Sequence, residues 1–447
     1  MTYRQLLASN ADFRRLWAGQ VISEVGDWLN NIAVLALAIQ LAGAGSVGLA
    51  VATYAIARHL PLFIFGPVAG VVVDRVSRRR VMIAADVARA VLALGFLLAN
   101  RSASLALIYV VGASLFSVSA FFNAAKRASI PNLVGSTEEL LAANSLSAST
   151  TAATIAVGSA LGGVVATALG RDTVFVLNAL TFLASAEMIR RITGLRNADF
   201  GLRIDNSAAV SQSAIRNPHS TIDSGLSALK RAASEFVEGL RYVRRDRVLA
   251  AVFVVAGGWG LGNGAARALY SLFGASLGEQ VAGRWGASVS AIAERPTDFG
   301  ISVLFVAMGL GGVLGAPLAR RFNSGAVEGL GARMGRSLTL DGCGLLLFSL
   351  TPNLFGAAAL LVAREMNFAI WWTAQQTLLM RRTEDAFAGR VFASYETLTT
   401  LMMVGSMLIS GAAADRVGMR AVAAGGGAVV MLSGLLWFVL RRQGRET

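Results

Sequence analysis

Ionisable side chains that fall inside long apolar stretches are the residues of this sequence best suited to chemistry. In the first quarter of the chain, carboxylates and arginines recur at such positions: Glu24, Asp27, Arg58, Asp86 and Arg89. A charged group at membrane depth is costly, so residues of this kind face a bundle interior or a water-filled path and are functional by default. We therefore predict one polar cluster of these residues. In it one carboxylate, Asp27 by preference, would bind and release a proton.

A structural interpretation competes with proton exchange at Asp27. A helix rise of about 1.5 Å per residue places Asp27 and Arg58 at a similar depth, where a permanent ion pair could hold two helices together. A close arginine keeps a carboxylate ionised, so that it cannot carry protons near neutral pH. The ion pair is thus the favoured interpretation and proton exchange the alternative. Asp86, close to the inner surface, is expected to be structural.

A second group of polar and aromatic residues lies in the last quarter of the chain. Arg364 and Glu365 interrupt an apolar stretch that continues with Asn367, Trp371 and Gln375. Aromatic surface and amide groups at this depth suit an amphipathic ligand, because the first supplies contact area and the second orientation. We predict that these five residues line a substrate cavity. For Trp371, contact with lipid is an equal alternative.

The elements that must position these residues are long helices. Hydrophobic residues make up 55% of the 447 residues and charged residues only 15%, and the mean hydropathy is +0.60. This composition excludes a single water-soluble core, and a membrane span needs roughly 20 mostly apolar residues. Twelve spans are predicted, the ninth of them interrupted by Asp341, near residues 14–40, 47–73, 81–99, 104–125, 138–169, 172–189, 248–275, 299–319, 337–352, 354–380, 391–414 and 419–440.

The distribution of basic residues predicts how the chain crosses the membrane. Thirty of the forty Lys and Arg fall in segments on the side of the N-terminus and six in loops on the other side, while four lie within spans. Because positively charged loops stay inside, both termini are expected in the cytoplasm, with the protein in the inner (plasma) membrane of the cell. The net charge of +14 is explained by this topology and not by nucleic-acid binding.

Sequence features that recur at corresponding positions predict that the chain consists of two pseudo-symmetric six-helix bundles. Asp86 in the third predicted span and Asp341 in the ninth follow basic loops at similar distances, as expected of transporter repeats. Between the bundles, apolar residues at helical spacing among Arg and Glu predict an amphipathic helix over 226–243 on the inner membrane surface. The predicted domains are an N-terminal bundle, a cytoplasmic linker and a C-terminal bundle, at residues 1–193, 194–247 and 248–447.

The loop after the second predicted span carries a motif. It runs Gly70-Val-Val-Val-Asp74-Arg75-Val-Ser-Arg78-Arg79-Arg80. Glycine permits a tight exit from the helix, the Asp can meet the positive end of a neighbouring helix, and the arginines can meet carboxylates such as Glu396 in the second half. The motif resembles the signature loop between helices two and three of the major facilitator superfamily. The predicted gating residues are Gly70, Asp74, Arg75, Arg78, Arg79 and Glu396.

Further segments resemble one branch of that superfamily, the drug and siderophore exporters that include macrolide-efflux and enterobactin-export proteins. These segments are residues 10–17, 23–28, 130–133, 141–146, 238–243, 389–392 and 411–418. The resemblance implies proton-coupled efflux of a hydrophobic or amphipathic small molecule by alternating access; lysophospholipid flipping and small-nutrient uptake are the alternatives. One departure is Ser159, which stands where such exporters often carry Pro, so the direction of transport loses one support.

Other classes of protein have less support in the sequence. The chain lacks a Gly-x-x-x-x-Gly-Lys-Ser/Thr loop for ATP, and Cys343 is its only cysteine. With His59 and His219 as the only histidines, it offers no clustered nucleophile and base, so an enzyme is not expected. We expect no cofactor, no metal and no nucleic acid. The expected partners are a small-molecule substrate, protons and the lipid bilayer, with the protein as a monomer.

Overall fold

The chain is helical throughout the part that the structure describes. This computed structural model describes residues 2–195, 225–285, 290–323 and 329–443. No β-strand occurs within these ranges, so the predicted all-α fold class is confirmed. Residues 196–224, which hold the first part of the predicted linker, lie outside the described residues.

The N-terminal group consists of one short helix and six long ones. Thr2 caps the first helix, and Asn10 caps the second through its Oδ1, which accepts from the N–H of Phe13 (2.8 Å). Gly170 alone joins the last two helices of the group, and its φ of +90° is a conformation that favours glycine. The bounds are α1 Tyr3–Ser9, α2 Ala11–Leu41, α3 Val47–Arg75, α4 Arg78–Arg101, α5 Leu105–Leu133, α6 Thr137–Leu169 and α7 Arg171–Arg190.

The C-terminal group repeats this arrangement after one additional helix. Gly418 joins its last two helices with a φ of +89°, just as Gly170 does in the first group. The bounds are α8 Gly225–Val243, α9 Arg247–Trp285, α10 Ser290–Glu294, α11 Pro296–Asn323, α12 Leu330–Leu350, α13 Leu354–Arg382, α14 Asp385–Val417 and α15 Met419–Gln443.

Eleven of the described helices are long and apolar enough to cross a membrane, namely α2 to α7, α9, α11 and α13 to α15. The helix below that threshold is α12, because it carries Arg333, Arg336 and Asp341 within 21 residues. It coincides with the ninth predicted span, and it packs against α13 and α15 as the other members of its group pack on one another. With α12 included, the described bundle has the twelve long helices that the sequence predicts.

The two ends of the bundle differ in how the helix groups meet. We call the end where α2 begins and α15 ends the terminal end, and the opposite end the far end. Toward the far end the two groups share one apolar core, to which Phe175 and Phe273 both belong. Toward the terminal end each described group has its own core, around Phe13 in the first and Trp437 in the second. The helix groups therefore converge at the far end and separate at the terminal end.

Glycine allows close backbone contact between α3 and α14 at the far end. A Cβ at Gly48 or Gly411 would overlap backbone atoms of the other helix, so only glycine permits this approach. One turn further along α14, the carboxylate of Asp415 accepts from the N–H groups of Gly48 (2.7 Å) and Leu49 (2.9 Å). These N–H groups have no partner within α3 because they lie in its first turn.

The helix α8 lies where the amphipathic helix is predicted, and it packs on the terminal end of α14. Ser394 Oγ donates to the carbonyl oxygen of Phe236 (3.0 Å), and the rings of Tyr242 and Phe387 stack with their centroids 4.5 Å apart. The helix before α9 is thus attached to the C-terminal group.

Candidate functional site

A cavity of about 330 Å³ lies between the two helix groups, at mid-length of the long helices. The N-terminal group supplies most of its wall, and α9, α11 and α14 supply the rest. Its charged lining comprises Glu24, Asp27, Arg58, Arg89, Lys126 and Arg267. Aromatic and aliphatic side chains form much of the remaining wall, among them Trp28, Tyr54, Phe116, Phe305 and Met308. A lining of this kind suits a molecule with an apolar body and charged groups.

Asp27 projects into this cavity from α2. Within the part of the chain that the structure describes, no ion pair and no hydrogen bond reaches its carboxylate. The favoured sequence interpretation, a permanent Asp27–Arg58 ion pair, is therefore wrong for this conformation. The carboxylate is available to a proton or to a ligand in the cavity.

Arg58 finds other partners because its guanidinium extends past Asp27 along α2. One of its N–H groups donates to Oδ1 of Asn31, one turn further along that helix. The guanidinium also lies over the rings of Trp28 and Phe116, with its Cζ 4.6 and 5.0 Å from their centroids. Cation–π contacts of this kind hold an arginine in place without neutralising its charge.

Glu24 belongs to a separate contact on the same wall. Lys126 of α5 lies 3.3 Å from its Oε1, and the side chains of Gln20 and Thr154 donate to its two oxygens (2.9 and 3.1 Å). Both members of the ion pair are partly accessible, with 13% and 20% of the side-chain surface exposed. This contact therefore joins α2 to α5 and α6 and remains within reach of a cavity ligand.

Asp86 and Arg89 form a buried ion pair within α4. The exposed fractions of the two side chains are 0% and 3%, and the Arg89 guanidinium lies between the rings of Phe122 and Phe182 (4.0 and 4.5 Å to the centroids). The i, i+3 spacing lets the two side chains meet on one face of the helix. The five residues of the predicted cluster are therefore neighbours, but they divide among three different sets of contacts.

The arginines of the signature loop bind carbonyl oxygens of the N-terminal group. Arg78 donates to the carbonyl of Ala128 near the end of α5 (2.7 Å), and Arg79 donates to those of Ile189 and Arg190 at the end of α7. Helix C-termini leave carbonyl groups without partners and carry a partial negative charge, which cations satisfy. These two arginines thus hold the terminal ends of α4, α5 and α7 together.

The other predicted gating residues are not joined in this conformation. Asp74 and Arg75 are exposed, and a Cβ on Gly70 would meet open space. Glu396 is exposed on α14, and no ion pair links it to the loop arginines in the described ranges. A carboxylate does bind a helix N-terminus of the opposite group, but it is Asp415, at the far end.

The predicted second cavity differs most from the structure. Arg364 is buried inside the C-terminal group, where its Nε lies 2.9 Å from Oδ1 of Asp341, and its guanidinium also donates to Asn263 (2.9 Å) and to the hydroxyl of Tyr270. Neither Arg364 nor Asp341 lines the central cavity. The charge at mid-span is neutralised within its own helix group because Asp341 on α12 faces it.

The other four residues of that prediction also lie outside the central cavity. Trp371 is 1% exposed and packs on Trp259, with the ring centroids 4.8 Å apart, so it faces neither the cavity nor lipid. Gln375 is buried and donates to Tyr395, Asn367 donates to the carbonyl of Ser337 (2.7 Å), and Glu365 packs against Gly311 of α11. The polar residues of α13 therefore hold the C-terminal group together.

Polar contacts join the two groups at the far end. Arg171 at the start of α7 forms a two-point ion pair with the fully buried carboxylate of Asp298 on α11 (3.1 and 2.8 Å). Arg171 also donates to Gln40, and Arg295 donates to the carbonyl of Ala166. We call these interactions, with those of Asp415, the far-end contacts. They close the cavity from that side.

Several cavity residues were absent from the predicted site. The predicted fourth span ends at residue 125 and so places Lys126 in a loop, whereas α5 continues to Leu133. Arg267 is one of the four basic residues predicted inside spans, and this isolated charge was the signal that could have placed it in the site. Tyr54 and Asn31 gave no such signal, since neutral polar residues are common in membrane helices.

The family model of the Major Facilitator Superfamily matches residues 16–405. The chain belongs to the major facilitator superfamily. It is therefore a multi-pass membrane transporter, and the family predicted from the signature loop is confirmed.

Relatives of this major facilitator protein match parts of it. Residues of the chain are 28% identical over 186 positions to the MFS-type transporter YfiS of Bacillus subtilis, a match that covers 42% of the chain and 43% of YfiS. The chain is also 32% identical over 139 positions to BacE of Bacillus amyloliquefaciens, a protein provisionally named a bacilysin exporter. This match covers 30% of the chain and 33% of BacE. The matches thus span less than half the length of these relatives. Since they are bacterial, the membrane is the plasma membrane.

Solved structures share the fold at low sequence identity. A bacterial homologue of the iron transporter ferroportin in an inward-facing state has a TM-score of 0.67 at 13% identity, covering 96% of this chain and 98% of that one. A bacterial homologue of the human lysosomal transporter Spinster, also inward-facing, has a TM-score of 0.65 at 12% identity and covers 98% of both chains. These similarities support the fold of the transporter.

Proposed function

We propose that this protein exports a hydrophobic or amphipathic small molecule in exchange for protons, by alternating access of its two helix groups. The observation that carries the proposal is the Asp27 carboxylate, which lies in a cavity between the groups without an ion-pair partner in the described chain. A carboxylate at membrane depth that is not neutralised by an arginine can bind and release protons as its surroundings change.

The arrangement of the helix groups supports alternating access. The groups share an apolar core and polar contacts at the far end, and they have separate cores at the terminal end. We place the terminal end in the cytoplasm because it carries most of the basic residues. The described conformation then faces the cytoplasm, which is the side from which an exporter takes up its cargo. The moving bodies are residues 1–193 and 248–447, acting within one monomer.

The cavity wall supports an amphipathic cargo. Trp28, Phe116 and Phe305 offer aromatic surface, while guanidinium and carboxylate groups offer charge at the same level. The partial similarity to BacE, named as an exporter, favours outward transport over uptake. The polar residues of α13 do not line this wall, because they lie inside the C-terminal group.

Transport in proteoliposomes tests the proposal. The purified protein is reconstituted into vesicles whose lumen is acidic and contains a pH-sensitive dye. Macrolides, siderophores, hydrophobic dyes and small peptides are then added outside the vesicles in turn. We expect at least one compound class to release protons from the vesicles. Asp27→Asn is expected to abolish this proton release, because an amide can neither take up nor release a proton in this pH range.

Asp172→Asn is the matched control, because Asp172 is an accessible carboxylate at the far end and lies outside the cavity. It should release protons as the wild type does. If Asp27→Asn still couples cargo movement to the proton gradient, the proposed role of Asp27 is wrong. If cargo moves in the wild type without any proton movement, the antiport mechanism itself is wrong.

A further inference from the structure

The charges of the central cavity do not balance. Lys126 is paired with Glu24, and Arg89 is paired with Asp86. Arg58 and Arg267 then form no ion pair with a carboxylate of the described chain, and Asp27 forms none with a cation, although Arg89 and Arg58 act on it electrostatically. Two free guanidinium groups and one free carboxylate thus line the same cavity.

The free groups come from both sides of the cavity. Asp27 and Arg58 lie on α2 and α3 of the N-terminal group, whereas Arg267 lies on α9 of the C-terminal group. Arg58 interacts electrostatically with both Asp27 and Arg267, so it lies within range of each of the other two charges. A ligand that touched all three would connect the two helix groups.

Arg58 is held in a fixed position, whereas Arg267 is not. The rings of Trp28 and Phe116 and the amide of Asn31 fix the Arg58 guanidinium, and they leave its charge in place. Arg267 is half-buried, and no described residue forms a hydrogen bond or an ion pair with it. Two like charges in one cavity of low polarity repel each other, so an anionic ligand group between them would be stabilised.

We propose that the cargo is a zwitterion. In this inference, which rests on the proposed function, Arg58 and Arg267 hold its carboxylate or phosphate and Asp27 holds its ammonium group. The apolar part of the molecule lies against Phe305, Met308 and Met407, which line the same cavity from α11 and α14. Binding of a zwitterion satisfies the three free charges together, which neither a simple anion nor a simple cation can do.

The assignment of the ammonium group to Asp27 also explains how the cargo and the proton exclude each other. A protonated Asp27 is neutral and no longer attracts an ammonium group, so one site holds either the proton or the cargo. Charged and titratable groups surround Asp27 from α2, α3, α4, α5 and α9: Glu24, Arg58, His59, Asp86, Arg89, Lys126 and Arg267. Of these, Arg89, Arg58, Glu24 and Asp86 act on its carboxylate electrostatically.

Binding of a matched ligand series to the purified full-length protein tests the inference without any proton gradient. The series is the dipeptide Phe-Phe, its N-acetyl derivative and its methyl ester, measured by isothermal titration calorimetry at neutral pH. Each blocked form loses one charged contact, so the free dipeptide should bind about tenfold more tightly than either. Lysophosphatidylethanolamine, a zwitterion that enters from the bilayer, is the fourth ligand.

Variants assign each contact to its residue. Arg267→Gln should remove the advantage of the free dipeptide over the methyl ester, and Arg267→Lys should restore part of it. Asp27→Asn should remove the advantage over the N-acetyl form. Arg284→Gln, on the same helix as Arg267 but exposed and outside the central cavity, should leave all the affinities unchanged. At acidic pH the free dipeptide and the ester should lose affinity, while the N-acetyl form should not.

The outcomes separate this inference from the proposed function. Equal binding of the three peptide forms, or selective binding that is unchanged in both Arg267→Gln and Asp27→Asn, overturns the zwitterion. Failure of all four ligands to bind overturns it as well. Tighter binding of the lysolipid than of the dipeptide, with the same dependence on the two variants, supports the zwitterion and assigns its source to the bilayer. Selective binding without proton-coupled transport keeps the inference and removes the antiport mechanism.

Discussion

The two halves of this transporter carry an aspartate at matching positions and use it in different surroundings. In the N-terminal group, Asp86 pairs with Arg89 on its own helix, and this pair adjoins the wall of the cavity. In the C-terminal group, Asp341 pairs with Arg364 on the next helix, and the Arg364 guanidinium also donates to the hydroxyl of Tyr270 and to Oδ1 of Asn263. The first group therefore keeps Asp27 and Arg58 unpaired at the cavity, whereas the second contributes only Arg267 there and pairs Asp341 with Arg364 inside its own core.

This difference shows that an intramembrane charge can serve structure or transport, and that its partners decide which. A charge whose ion-pair partner is buried is structural, because its removal leaves that partner buried without a counter-charge. A charge held only by rings and amides, or by nothing, stays available to a ligand. The stability of single variants measures which case applies.

The largest effect is expected for Arg364→Ala. The substitution leaves the carboxylate of Asp341 buried without a cation, which costs about 3–5 kcal/mol. We expect loss of monodisperse protein on size-exclusion chromatography and a lower midpoint of thermal unfolding. Arg284→Ala, an exposed arginine of the same half, is the control. Equal stability of the two variants would show that the buried pair of the second half is not structural.

A smaller effect is expected for Arg58→Ala. It removes one hydrogen bond and two ring contacts but strands no carboxylate in the described conformation. These contacts are together worth about 1–2 kcal/mol, so the variant should fold and lose transport. Thermal unfolding and proteoliposome transport are the two measurements. Loss of folded protein on the scale of Arg364→Ala would restore the structural ion pair with Asp27 in another conformation of the cycle.

Glu24→Gln should destabilise the protein by only about 0.5–1 kcal/mol, because its partner Lys126 is partly accessible and the amide oxygen can still accept from Thr154. The same unfolding measurement, repeated at high salt, checks this. The difference from wild type should shrink as salt screens the pair. An effect that is independent of salt would mean that packing, and not charge, accounts for it.

The smallest effect on stability is expected for Asp27→Asn, within about 0.5 kcal/mol of the wild type, since no ion pair or hydrogen bond of the described chain is lost. Its effect on coupled transport should nevertheless be complete. A large change in the unfolding midpoint would place Asp27 with the structural charges and remove the contrast between the halves.

Periodicity and charge predict the fold of this protein well. Long apolar stretches predict the helices, and α12, which Arg333, Arg336 and Asp341 interrupt, is the one described long helix of the two six-helix bundles that is not apolar enough on its own to count as a span. Helix ends are less predictable. The residue Lys126 lies inside α5 because a helix can extend beyond the hydrocarbon layer with polar residues in its last turns.

The site is only partly predictable. Depth along a helix can be counted from the sequence, and it brings Glu24, Asp27 and Arg58 to one level. Depth alone does not determine which partner a long side chain contacts. Arg58 contacts Asn31 because its side chain reaches one turn beyond Asp27. Depth does not show the rotation of α13 either, and this rotation turns Trp371 onto Trp259 and away from the central cavity. Such choices depend on packing between helices that are distant in sequence.

The far-end contacts also have a kinetic consequence. Under alternating access, the pair of Arg171 with Asp298 and the bonds from Asp415 to the start of α3 must break once in every cycle. Each ~1.4 kcal/mol that breaking these contacts adds to the activation free energy of opening slows that step about tenfold. The strength of these few bonds therefore limits the turnover rate. Natural selection for faster transport would weaken them, and selection against leakage would strengthen them.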